Sequence, residues 1–121
     1  MRKRILVVED QADNRQILQD LLTSVGYEII HAESGEEAVT MAATQRPDLI
    51  LMDIQLPLLD GYEATRRIKS DTELRGIPII VVTSYALSGD EPKARAAGCD
   101  AYVTKPYSPR ALLAKIREFV P

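Results

Sequence analysis

Cysteine is nearly absent: Cys99 is the only one in 121 residues, so no intrachain disulfide can form, and the chain suits a reducing compartment, the cytoplasm. Positive charge is not in excess either. Lys and Arg number 15 against 18 Asp and Glu, a formal net charge of −3, which speaks against a domain whose main task is to hold the phosphate backbone of a nucleic acid. No apolar run is long: Ile77 to Val82 is strand-sized, short of the ~18–20 residues that span a bilayer. The basic start Met1-Arg2-Lys3-Arg4 is followed only by Ile5 to Val8 before Glu9-Asp10 intervenes, too little for a secretory signal. Repeats, low-complexity tracts and linkers are missing as well. The expectation is a cytoplasmic protein with neither a membrane nor a nucleic acid as partner. What is present is a hydrophobic fraction of 45%, enough for one core at the length of one domain.

Apolar runs alternate with helical patterns. Ile5 to Val8 is a short β-branched run, as in a strand covered on both faces. Ile17, Leu18, Leu21, Leu22 and Val25 recur at helical spacing across residues 12 to 25, with Gly26 as a stop. Glu28 to Ala32 reads as a second strand, and Ser34 with Glu37 three residues on is a capping box opening a helix through about Ala43. Asp48 to Asp53 is a third strand, followed by a turn-rich stretch and a helix from about Tyr62 to Ser70. Ile77 to Thr83 is a fourth strand, with Pro78 at its start. Ser88-Gly89-Asp90-Glu91 is a second capping box, its helix carrying Pro92 in the first turn and ending at Gly98. Asp100 to Thr104 is a fifth strand, and Ser108-Pro109 caps a last helix on which Leu112, Leu113, Ile116 and Val120 share a face. Five such units predict an α/β domain, a doubly wound five-stranded parallel sheet. In that architecture ligands gather at the C-terminal ends of the strands, near the topological switch point.

At those ends stand Glu9 and Asp10 after the first strand, Asp53 on the third, Thr83 on the fourth and Lys105 after the fifth. Brought together, the three carboxylates repel one another, each pair by roughly 4 kcal/mol at ~4 Å and an effective dielectric of ~20. Lys105 offsets one charge; the remainder calls for a divalent cation. All the ligands are oxygens, since His31 lies in the second strand and Cys99 at the opposite end of the fifth, so Mg²⁺ suits better than Zn²⁺.

Absent motifs narrow the chemistry. No GxGxxG or GxxxxGK[ST] follows the first strand, and Glu9-Asp10-Gln11-Ala12 would repel a nucleotide or flavin phosphate arriving without metal. Asp53 is followed by Ile54-Gln55, so the Asp-x-Asp pair of haloacid-dehalogenase phosphatases is missing, and neither a Gly-x-Ser-x-Gly elbow nor a Cys/His nucleophile pair is available.

From Ile5 to about Val120 the chain resembles the receiver domain of two-component response regulators, of the single-domain, chemotaxis-regulator-like kind. The resemblance rests on Glu9-Asp10, on the stretch Met52-Asp53-Ile54-Gln55-Leu56-Pro57-Leu58-Leu59-Asp60-Gly61, on Val82-Thr83-Ser84-Tyr85-Ala86, and on the segment from Gly98 to Pro106. It implies a flavodoxin-like (βα)5 fold with strand order 2-1-3-4-5. It also implies that Asp53 is phosphorylated and that Mg²⁺ is held by Asp10, Asp53 and the Gln55 backbone carbonyl, with Glu9 acting through water. Thr83 and Lys105 would contact the phosphoryl group, Tyr102 would report its presence, and a cis Lys105–Pro106 bond would aim Lys105 at the acids. Departures are small: Leu56 stands where Met is frequent, Ser84 where Ala is common, and Glu9 where Asp is usual.

The resemblance implies an acceptor of phosphoryl groups from phosphohistidine, not a stand-alone enzyme. Its donor would be a sensor histidine kinase or histidine phosphotransfer protein docking near Asn14, Arg15, Ile17 and Leu18. Gln55 and Tyr85 flank the expected path of a hydrolytic water, and Tyr85 is expected to shield the phosphoryl group. A homodimer through the fourth helix, fifth strand and fifth helix could use Lys93, Arg95, Asp100 and Arg117, although a solvated charged face is the commoner reason for such residues. The receiver accounts for residues 1–121, so no output domain is expected beside it. Alternatives are the excised receiver of a hybrid kinase, a phosphorylation-independent interaction module, and a metal-dependent phosphohydrolase, for which no second catalytic carboxylate stands beside Asp53.

Overall fold

The computed structural model describes residues 2–54, 56, 59–83, 90–105 and 107–121. The β-branched and Leu-rich runs form strands β1 (Arg4–Val8), β2 (Glu28–Ala32), β3 (Leu49–Asp53), β4 (Ile79–Thr83) and β5 (Ala101–Thr104). The stretches of helical periodicity form α1 (Ala12–Ser24), α2 (Gly35–Gln45), α3 (Gly61–Ser70), α4 (Asp90–Ala97) and α5 (Pro109–Arg117). Neighbouring strands are all parallel, in the order β2-β1-β3-β4-β5.

Right-handed crossovers explain the layers. The step from β1 to β2 runs one way along the sheet and puts α1 on one face. The steps from β2 to β3, β4 and β5 run the other way and put α2, α3 and α4 on the opposite face. Side chains then sort with the period of two. Ile5, Val7, Leu49, Leu51, Ile80 and Val82 pack against Leu18, Leu22, Leu112 and Ile116 of α1 and α5. Leu6, Val8, Ile50, Met52, Ile79 and Val81 pack against Ala38, Ala42, Ala64, Ile68 and Ala94 of α2 to α4. The reversal of direction falls between β1 and β3, which is where the acidic residues leave the sheet.

Three expectations need correction. Ile17 is 64% exposed and Val25 38%, so the buried stripe of α1 reduces to Leu18 and Leu22. Ile17 lies about 100° around the helix from Leu18, and Val25 is already the C-cap, beyond which Gly26 turns the chain at φ 98°. β4 begins at Ile79 rather than Ile77; Pro78 contributes only its carbonyl, which accepts from Ile50 N at 2.9 Å. Val120 lies beyond α5, held as a buried tail residue whose carbonyl accepts from the Tyr27 hydroxyl at 2.6 Å. The first capping box holds, with Ser34 Oγ accepting from Glu37 N at 3.1 Å, and Ser108 Oγ accepts from Ala111 N at 3.0 Å. Ser88 and Gly89 of the second box lie outside the described residues. No helix among the described residues is long and apolar enough to cross a membrane.

Candidate functional site

Glu9 leaves β1 and Asp53 ends β3, adjacent strands whose register pairs Val8 with Met52, so their carboxylates meet at one edge of the sheet. Asp10 joins them: one oxygen from each of the three lies within 4.8 Å of the others. Glu9 is 3% and Asp53 5% exposed, whereas Asp10 faces solvent. Thr83 ends β4, fully buried, and its carbonyl accepts from Lys105 N at 2.7 Å. That bond fixes the start of the segment after β5 and brings Lys105 Nζ to 3.5 Å from Asp53 Oδ2 and 3.7 Å from Glu9 Oε2. Residues far apart in the chain converge because parallel strands all deliver their C-terminal ends to the same edge.

One ammonium against three carboxylates leaves an excess of negative charge. Burial pushes the Glu9 carboxyl up to about 7, reinforced by the hydrogen bond and charge it shares with Asp53 and partly opposed by Asn14 and Lys105. The donor set fits a hard divalent cation: three carboxylate oxygens close together, with an exposed side left for water. Gln55, Tyr85 and Pro106, the residues of the expected backbone ligand, the phosphoryl shield and the cis Lys105–Pro106 bond, lie outside the described residues.

Other expected residues fall in distinct places. His31 sits on β2, its Nε2 2.9 Å from Gln19 Oε1, away from the carboxylates. Tyr102, half-buried on β5 beside Val81, packs against the core on the α4 side of the sheet. Asp100 is not free for a partner chain: its Oδ2 accepts from Lys69 Nζ at 2.7 Å and from Ile79 N at 2.8 Å, at the edge opposite the acids.

Two contributors were not read from the sequence in these roles. Asn14 Nδ2 donates to Glu9 Oε1 at 3.1 Å, and Arg15 donates to the Glu9 carbonyl at 2.9 Å while pairing with Glu33 at 3.1 Å. Their places in the first turn of α1, directly after the acidic pair, were the available signal. Tyr107 lies beside the site, its hydroxyl raised above the usual range by burial and then by the charges of Glu9 and Asp53. With Ile17, Leu18, Glu9, Asp53 and Lys105 it borders a cavity of about 670 Å³ that opens between α1 and the end of β5.

The family model of the response regulator receiver domain matches residues 5–117. The chain is 45% identical over 120 residues to the polar-differentiation response regulator DivK of Brucella anthropi, covering 99% of this chain and 98% of that protein. A solved receiver domain of the sensor histidine kinase PA1611 from Pseudomonas aeruginosa, with a magnesium ion coordinated in its active-site cleft, is 38% identical. It matches with a TM-score of 0.92 over 99% of this chain and 98% of that one. The chemotaxis protein CheY4 of Vibrio cholerae is 26% identical, with a TM-score of 0.91 over 98% of this chain and 99% of that one. Strand order, the position of the acidic edge and the whole-length matches agree, and the chain belongs to the response regulator receiver domains of two-component signalling.

Proposed function

We propose that the chain accepts a phosphoryl group on Asp53 from the phosphohistidine of a sensor histidine kinase or histidine phosphotransfer protein, and signals through the surface of this one domain. The observation that carries the reading is Asp53 itself: a carboxylate 5% exposed, 3.5 Å from Lys105 Nζ and set in a trio of acids at the end of a central strand.

An Asp53 oxygen attacks phosphorus as the P–N bond to the donor imidazole breaks, the bonding pair leaving with nitrogen. Charge spread over the equatorial oxygens is met by Lys105 on one and the Thr83 hydroxyl on another. Asp10, Asp53 and the Gln55 carbonyl would hold Mg²⁺, with Glu9 acting through water; when bound, the ion neutralises charge on the transferring group. Asn14 keeps the Glu9 carboxylate in place by its 3.1 Å hydrogen bond. The histidine comes from the partner, since His31 is engaged with Gln19 on β2. Loss of the group by hydrolysis would be set by Gln55 and Tyr85, and the protein turns over no separate substrate as an enzyme would.

Phosphorylation replaces a single negative charge by roughly two. Thr83 moves toward the new group and Tyr102 turns inward, which reshapes α4, β5 and α5. Support comes from adjacency, since Thr83 and Tyr102 lie on the paired strands β4 and β5. Tyr102→Ala is expected to phosphorylate at the normal rate and lose the partner response. The donor docks over α1 beside Asn14 and Arg15, where Ile17 is 64% exposed at the mouth of the cavity and next to Leu18. A homodimer through the α4, β5 and α5 face would use Lys93 and Arg117, Asp100 being already paired with Lys69. A lone buried thiol at Cys99 is in keeping with a cytoplasmic setting.

The likeness to the DivK relative over nearly that protein's whole length favours a stand-alone regulator. The likeness to a receiver of a sensor kinase favours a second reading, a relay shuttle or the receiver of a hybrid kinase; fast reverse transfer from Asp53 to a phosphotransfer protein would select it. Acetyl phosphate with Mg²⁺ tests the common core: intact-mass spectrometry is expected to register one added phosphoryl group on the wild type and none on Asp53→Asn. No gain on the wild type would overturn the reading in favour of a phosphorylation-independent interaction module.

A further inference from the structure

Two helix N-termini close on backbone at or after Asp53, α3 on Asp53 and Ile54 and α2 on Leu59, and glycine makes the contact in both. At Gly61, the first residue of α3, an added Cβ would stand 2.9 Å from the Asp53 carbonyl carbon and from Ile54 Cα, with the Asp53 carbonyl oxygen nearer still. At Gly35, the first residue of α2, it would stand 2.9 Å from the Leu59 carbonyl carbon and 3.0 Å from Leu59 Cβ, again with the carbonyl oxygen nearer. Both obstacles are backbone, which has no rotamer to turn aside. Positive φ among the described glycines belongs to Gly26 and Gly98, so at positions 35 and 61 the missing side chain provides room for close approach rather than backbone freedom. The two contacts are in series. Only Asp60 separates Leu59 from Gly61, and Asp60 caps α3 by accepting from Glu63 N at 2.9 Å while Gly61 N donates to the Ile54 carbonyl at 3.2 Å.

We propose that Gly35 is a positioning residue for Asp53: α2, seated through Gly35 on the Leu59 carbonyl, sets the level of the 59–61 turn and through it the backbone at the end of β3. The inference deepens the reading of Asp53 as the phosphoacceptor and rests on it. A misplacement of the order of 1 Å, made at a distance from the chemistry, is enough to cost a reaction rate up to about a hundredfold.

The test compares Gly35→Ala with two variants that leave the turn alone. Gly26→Ala strains a φ of 98° where a Cβ meets nothing within 4 Å, and Gly76→Ala also meets nothing within 4 Å. For Gly35→Ala, the Mg²⁺ Kd from isothermal titration calorimetry is expected to rise, and the acetyl phosphate rate at saturating Mg²⁺ to fall, each by about tenfold. Gly26→Ala and Gly76→Ala are expected to keep the wild-type values for both, although Gly26→Ala loses thermal stability. Amide NMR shifts of Asp53 and Ile54 are expected to move in Gly35→Ala and not in Gly26→Ala. Ser34→Ala, which removes the oxygen accepting from Glu37 N at 3.1 Å, loosens the first turn of α2, where Gly35 sits, without adding an atom. It is expected to move the same amides, and it decides the question if Gly35→Ala does not fold. Wild-type metal affinity, rate and Asp53 amide shift in a folded Gly35→Ala would overturn the proposal. A wild-type chain that is not phosphorylated by acetyl phosphate instead overturns the assignment of Asp53, and the amide shifts then decide the positioning role alone.

Discussion

Asp53 and Glu9 are buried carboxylates in contact with each other, with one ammonium beside both. Such a pair is costly to hold without a cation, and the raised Glu9 carboxyl is the sign of that cost. Asp53→Asn removes one of the charges and is expected to stabilise the metal-free protein by about 1–2 kcal/mol, read as a higher urea midpoint in EDTA. A lower midpoint would count against charge strain at the site. His31 makes the stability depend on pH. Its Nε2 meets Gln19 while its buried Nδ1 has no hydrogen-bond partner among the described residues, and its pKa is lowered by burial and then by Arg15, with Glu33 opposing. The folded state therefore resists protonation of His31 more than the unfolded chain does. That contribution is present above the ordinary value of 6.5 and is lost as pH falls through the lower, folded value. Wild type is expected to lose stability relative to His31→Gln in urea titrations at successively lower pH below 6.5; a constant difference would rule the effect out.

Between elements, a polar tie lies at the edge of the sheet opposite the acids. Lys69, near the end of α3, sends its three donors to the carbonyls of Arg75 and Ile77, at 3.0 and 2.8 Å, and to Asp100 Oδ2 at 2.7 Å. Its side chain is 14% exposed and that of Asp100 36%, and the one ammonium joins α3, the segment leading into β4 and the start of β5. Lys69→Ala leaves Asp100 and two carbonyls short of a donor and is expected to cost about 1–3 kcal/mol, measured by urea unfolding. A loss below about 1 kcal/mol would place the pair with ordinary surface salt bridges. The helix starts behave differently, because each cap is local. Ser34, Asp60 and Ser108 all accept from the amide three residues on, and two of these caps were legible as short patterns. Ile17 was misread because helical spacing marks a face without saying how wide a face the sheet covers.

As a whole, the molecule separates its two ends. The C-terminal edge of the sheet holds an excess of negative charge with an open side, and the N-terminal edge holds paired charge. A ligand that relieves the excess binds the folded state alone and must raise its stability. Mg²⁺ at about a hundred times its Kd is expected to add about 2.7 kcal/mol, seen as a higher Tm than in EDTA, with most of the gain lost in Asp53→Asn. An unmoved Tm would remove the cation from this site. The fold class was legible as a whole because right-handed crossovers leave few ways to arrange five βα units. The set Glu9, Asp10, Asp53, Thr83 and Lys105 was legible because each stands where a strand ends.

The sequence by itself determined the alternation of strands and helices, their caps, and which residues stand at the strand ends, because hydrophobic period and capping chemistry act over a few neighbouring residues. Only the tertiary structure decided that Asn14 and Arg15 hold Glu9, that Tyr107 faces the acids, that Lys69 claims Asp100, and that Gly35 touches the turn leading back to Asp53. Those contacts join residues whose separation along the chain carries no trace of their meeting. They are set by how closely the helices seat on the sheet, which is a property of the packed core as a whole.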